Sequence, residues 1–90
     1  NSVETFKTKL KTYPNPTTDN TTLTFNLAET SNVLVNVYSI SGILVKTVSQ
    51  KNMSAGAQTL KIDGDDLQNG TYIVKFMAGK QNETVKFIKM

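Results

Sequence analysis

The chain has no cysteine, no histidine, no tryptophan and no arginine. Without cysteine there can be no disulfide, no thiol nucleophile and no thiolate zinc site. Without histidine the commonest general base and metal ligand is missing. Serine and threonine are plentiful, but none has an activating base nearby in sequence, so we expect no catalysis, no metal and no cofactor. All ten basic residues are Lys, and the net charge is +3. Bidentate reading of phosphate and guanine relies on the guanidinium fork, which argues against a specific nucleic-acid reader. No run approaches the ~20 apolar residues of a membrane helix, so no membrane insertion is expected. No signal peptide opens the chain. The first residue is Asn1 rather than Met, and we expect a longer precursor with its export signal upstream.

What is present is a period of two. Ninety residues make one small domain, which buries a little over ~60% of its unfolded surface. Its core must come from Val, Leu, Ile, Phe and Tyr. Residues 6–13 alternate weakly. Leu23, Phe25 and Leu27 then alternate with Thr22, Thr24 and Asn26, as a half-buried strand requires. Val33, Val35 and Val37 share one face, with Leu34, Asn36 and Tyr38 on the other. Residues 43–48 are apolar on both faces, so their inward side is open. Leu60 and Ile62 mark a short fifth strand. Tyr72, Val74 and Phe76 mark a sixth, and Val85 and Phe87 a seventh. No window carries the i, i+3, i+4, i+7 repeat of an amphipathic helix.

Turn chemistry separates these runs. Pro14 and Pro16 cannot donate ladder hydrogen bonds, so YPNPTTDN at 13–20 reads as a stiff corner. Ser41–Gly42 closes one turn, Asn52–Gly56 a longer polar connection, Asn69–Gly70 a tight turn, and Ala78–Asn82 a final hairpin. Gly42 and Gly70 are read as turn positions needing φ > 0. Seven strands at roughly 8–12-residue spacing predict an all-β fold, an immunoglobulin-like seven-stranded antiparallel β-sandwich. Residues 1–9 are expected to be a linker and 10–90 the domain. Lys7, Lys9 and Lys11 alternate and could form a polyanion-binding stripe; we read them as gatekeepers of an edge strand. Asp63, Asp65 and Asp66 beside Asn69 hint at a calcium loop. They lack the EF-hand spacing, so we read them as turn-forming and solvated.

The punctuation itself carries a resemblance. YPNP at 13–16 is followed by VNVYSISGILV at 35–45, NGTYIV at 69–74 and a closing VKFIK at 85–89. That order is similar to the type A sorting domain of the type IX secretion system (the Por secretion family). The matching marks are Tyr13, Pro14, Asn15, Pro16, Val35, Val37, Tyr38, Gly42, Val45, Asn69, Gly70, Tyr72, Val74 and Lys86. Ile43 departs from the family, where a basic or polar residue is common, and so does Met90 beyond Lys89. The resemblance implies a sandwich following a larger cargo, exported through the periplasm to the cell surface or medium. The implied partners are the outer-membrane translocon and its shuttle components, the upstream cargo domain, and a sortase-like peptidase that cleaves the domain and attaches the cargo to the surface. Under it residues 1–9 are the cargo-proximal segment and 10–90 the sorting domain. With Phe87 inward, Lys86 and Ile88 are expected to face outward as a partner patch, and Lys89 is counted with them. Tyr72 and the glycines are read first as fold-forming. Two other readings compete: a surface adhesion or carbohydrate-binding sandwich, and a structural spacer in a surface enzyme.

Overall fold

The computed structural model describes residues 8–90. Wherever β-branched or aromatic residues alternate with Thr, Asn or Lys, the backbone is extended. The strands are β1 (Lys11–Tyr13), β2 (Thr21–Leu27), β3 (Ser31–Ser39), β4 (Leu44–Met53), β5 (Gly56–Ile62), β6 (Gly70–Ala78) and β7 (Gln81–Lys89). No helix occurs among the described residues. The strands form two antiparallel sheets, ordered β1-β2-β5 and β4-β3-β6-β7. After β4 the chain crosses to the first sheet to pair β5 with β2, then returns to lay β6 beside β3. This is a seven-stranded β-sandwich with the crossing connections of the immunoglobulin architecture.

Alternation decides what lies between the sheets. Leu23, Phe25 and Leu27 of β2 face Val33, Val35 and Val37 of β3, Val74 and Phe76 of β6 and Phe87 of β7, all buried. Phe25 and Phe76 meet with ring centroids 4.7 Å apart. Each such side chain contributes about 1.5–3 kcal/mol of transfer free energy. No disulfide reinforces the layers; besides the core, hydrogen bonds cross between them, as from Gln81 Nε2 to the Asn26 carbonyl at 3.0 Å.

The two outward faces differ. On the three-stranded sheet the cross-strand rows read Tyr13–Thr22–Lys61, Lys11–Thr24–Thr59 and Asn26–Ala57. On the four-stranded sheet they read Lys86–Ile73–Tyr38–Leu44, Thr84–Lys75–Asn36–Thr47 and Asn82–Met77–Leu34–Ser49. The first face is mostly hydroxyl, amide and ammonium; the second puts apolar side chains in two of its three rows.

Several expectations need correction. Within the described part of 6–13 a strand forms only at 11–13; residues 6 and 7, and with them Lys7 of the lysine series, lie outside the described residues. Lys9 takes φ 53°, which breaks the extended run before β1. Thr8 is buried, and its carbonyl accepts from the Asn26 amide at 2.7 Å. The polar connection expected at 52–56 is mostly strand, because β4 runs to Met53 and β5 begins at Gly56. Gln50 and Lys51 pass as edge-strand residues, which need no alternation when both faces are wet. The inward side of β4 is also settled: Lys46 and Val48 are half-buried, while Leu44, Thr47 and Ser49 continue the outer rows. A bulge leaves Val45 without a partner between the pairs Val37↔Lys46 and Tyr38↔Leu44.

Candidate functional site

The corner after β1 carries the densest long-range bonding. Asn15 stands between two prolines that have no N–H to offer; both preceding peptide bonds, Tyr13–Pro14 and Asn15–Pro16, are cis. Its primary amide carries the same donor and acceptor pair as a peptide group, and β7 uses it that way. Asn15 Oδ1 accepts from the Ile88 amide at 3.0 Å, and Asn15 Nδ2 donates to the Lys86 carbonyl at 3.0 Å. Two residues on, the main chain takes over. The Thr17 amide donates to the Ile88 carbonyl at 2.8 Å, and the Met90 amide donates to the Thr17 carbonyl at 2.8 Å. These bonds make a parallel bridge between Thr17 and Lys89. Thr21 Oγ1 donates to the Pro14 carbonyl at 2.9 Å and ties the corner to β2. The outer edge of β7, which would otherwise show unpaired amides, is closed from residue 86 to residue 90.

The other marks lie beside this clasp. Gly70 pairs with Lys89, and Tyr72 with Phe87; the two rings stack at 5.4 Å. Tyr72 also pairs with Ser39 of β3. Ser39 closes the β3–β4 turn: its amide donates to the Ile43 carbonyl at 2.8 Å and its carbonyl accepts from Gly42 at 2.9 Å. Gly42 has φ 90° and Gly70 φ 154°, backbone regions that a Cβ disfavours. No atom lies close enough to either to clash with a side chain, so backbone conformation and not space selects glycine there. Tyr72 is 6% exposed, and its hydroxyl donates to the Gln68 carbonyl. That is the tyrosine corner of immunoglobulin-like sandwiches, built at the start of the sixth strand. Pro14, Asn15, Pro16, Gly42, Val45, Gly70, Tyr72, Lys86, Ile88 and Lys89 thus gather at the pole where β6 begins and β7 ends.

Within that group the side chains point different ways. Lys86 is exposed and Ile88 is 44% exposed, on the outer face. Lys89 is not with them. It is 7% exposed, and its ammonium donates to the Leu67 carbonyl at 3.1 Å. Residue 89 follows the parity of Phe87, and a long aliphatic stem lets a lysine lie under a loop with its charge on a carbonyl. Val45 is 40% exposed and lines a shallow groove with Ile43, Leu67 and Tyr72.

Two residues of the pole carried no sequence signal. Thr17 is buried and makes the bridge to β7, yet a threonine after a proline has no distinguishing pattern. Gly64 is buried, and a Cβ there would collide with the Asp19 carbonyl, so the 63–69 loop can lie on the corner only through glycine. The neighbouring acids are engaged locally. Asp63 Oδ1 accepts from the Asp65 amide at 3.0 Å, and Asp66 pairs with Lys46 at 3.2 Å. No group of three metal-ligating side chains gathers among the described residues.

Comparison with known families matches residues 11–90 to the family described as the secretion system C-terminal sorting domain. No curated protein matches. The adhesion and carbohydrate-binding reading is not favoured, since the matched family is a sorting signal and not a class of enzyme or lectin. The match takes in β1 through β7 and every part of the clasp, and on that ground the chain belongs to the C-terminal sorting domains of type IX secretion.

Proposed function

We propose that the clasped pole is the surface through which this sorting domain is read, with Asn15 and Thr17 holding the last strand in its readable form. Sorting through type IX secretion, to the cell surface or medium and on behalf of an upstream cargo, follows from the family. The finer reading concerns route, partners and residues. The domain passes through the periplasm, meets the outer-membrane translocon and its shuttle components at the clasped pole, and is then removed by a sortase-like peptidase. It is non-catalytic throughout. Lys86 and Ile88 are the side chains offered; Pro14, Asn15, Pro16, Gly42, Gly70, Tyr72 and Lys89 shape the backbone beneath them, and Val45 floors the adjacent groove. Residues 1–9 serve as the cargo-proximal segment, with Thr8 already packed against the domain, and 10–90 as the sorting domain.

The observation that carries this is convergence. Pieces of sequence up to 74 residues apart are hydrogen-bonded at one pole. Thr8, where the described chain begins, lies at the other pole, bonded to Asn26 and Gln81. The described chain thus enters the domain at the far end from the clasp.

The test is a reporter fused ahead of residues 1–90 in a bacterium with an intact type IX apparatus. The intact domain sends the reporter to the surface or medium, whereas removing Phe87–Met90 retains it in the periplasm. Ile88→Ser with Lys86→Ala loses export at a nearly unchanged melting temperature. Normal export of that pair would remove the pole from the recognition surface, and equal export from a strain without the translocon would remove type IX sorting altogether.

A further inference from the structure

The outer face of the four-stranded sheet holds an unpartnered apolar patch that the clasp does not explain. One cross-strand row runs Ile73, Tyr38, Leu44, with Lys86 at its end. Ile88 lies on the same face. Leu44 is 51% exposed and Ile88 44%, while Ile73 and Tyr38 are half-buried. Lys75 leans over the Tyr38 ring, its ammonium 5.4 Å from the centroid. The cross-strand rows put Lys75 and Lys86 on this face and no carboxylate among the described residues. A wet sheet face in a small domain is ordinarily covered by Thr, Asn and Lys, as the opposite sheet is. Contiguous apolar side chains rimmed by one sign of charge mark a docking surface.

From this charge pattern we infer that the outer face of the four-stranded sheet docks a protein surface carrying carboxylates around an apolar patch. The inference deepens the sorting reading and rests on it: the partner covers the flat of the sheet as well as the clasped pole. Lys75 and Lys86 would exchange water for carboxylates at the rim, which fixes orientation and raises the association rate. The apolar row would supply the desolvated centre. A second copy meeting this face with the same face would set lysines against lysines, so self-association is disfavoured there.

The experiment uses residues outside the clasp, so that the two readings can fail separately. Lys75→Glu, and Leu44→Thr with Ile73→Thr, are placed in the reporter fusion; Lys11→Glu with Lys61→Glu on the opposite sheet is the control. We expect export to fall about tenfold or more for each outer-face variant, with greater loss at low ionic strength for the charge change. Their melting temperatures stay close to that of the parent, and the control is exported within about twofold of the parent. Threonine keeps strand propensity; should the double threonine variant melt early, Lys75→Glu still decides the matter. If the outer-face variants are exported normally while Ile88→Ser with Lys86→Ala is not, recognition is confined to the clasp and this inference is overturned with the sorting reading intact. If the parent fusion is not exported, the sorting reading falls and takes this one with it. Co-sedimentation of the domain with phosphatidylglycerol vesicles that is lost in Lys75→Glu would assign the face to lipid instead. A concentration-dependent dimer lost in Ile73→Thr would assign it to a second copy.

Discussion

The four-stranded sheet has two edges, and they are finished in opposite ways. β7 is closed from residue 86 onward by the Asn15 amide and the Thr17 backbone. β4 has a neighbour on one side only among the described residues, and its ten residues are mostly exposed. Its defence against pairing with other chains is local: the bulge at Val45, the break in register between Ser31 and Val33, and Lys46 and Lys51 along its length. Bulges and lysines are the usual ways to blunt an edge. Blunting would have served β7 equally well if solubility were all that mattered. Sealing it with a corner drawn from the far side of the sequence fixes its position as well as its pairing. That is what a strand needs when its outward side chains are to be read.

Four substitutions test this contrast. The largest effect belongs under the sealed edge: Phe87→Ala should destabilise by about 3–5 kcal/mol, and chemical denaturation should show a domain near its folding limit. Next is the seal itself. Asn15→Ala removes both side-chain bonds to β7, and we expect a loss of about 1–2 kcal/mol. Hydrogen exchange at Ile88 should quicken well before that at Val74; an Ile88 amide that stayed slow would show that Thr17 alone closes the edge. On the open edge Val48→Ala should cost about 1 kcal/mol, since the side chain is half-buried. The smallest effect is Asp66→Ala. The carboxylate is 73% exposed, and such ion pairs contribute about 0–1 kcal/mol. A melting point lowered by more than about 4 °C, which would correspond to roughly 1 kcal/mol, would mean that the Lys46–Asp66 pair braces β4 more than its exposure suggests.

Alternation made the sandwich legible, because successive runs of period two can bury one face each in few other ways. The same rule, applied one residue further, places Lys89 inward beside Phe87; the charge on the side chain hid this. The ends of β4 and β5 were not legible, since Gln50, Lys51 and Asn52 on a wet edge look like a loop. For the site, the sequence order of the four motif pieces was visible but their meeting was not. Asn15 touches Lys86 across 71 residues of chain, and no local pattern announces a side-chain amide standing in for a peptide. The outer patch escaped for a different reason. Tyr38, Leu44 and Ile73 share a face only through the register of three strands, and the bulge at Val45 shifts that register by one.

The bond between Asn15 and the end of β7 also sets a clock. β7 is the last of the seven strands to be synthesised, and until it is complete neither Asn15 nor Thr17 has anything to hold. Closing a loop of that length is slow relative to forming a hairpin, so the corner waits, and with it the whole readable pole. A half-made chain lacks the closing piece of the motif, and one whose tag has unfolded carries every letter of it and displays none. On the proposed reading, recognition of the pole also reports that β7 is in place and that the tag has folded.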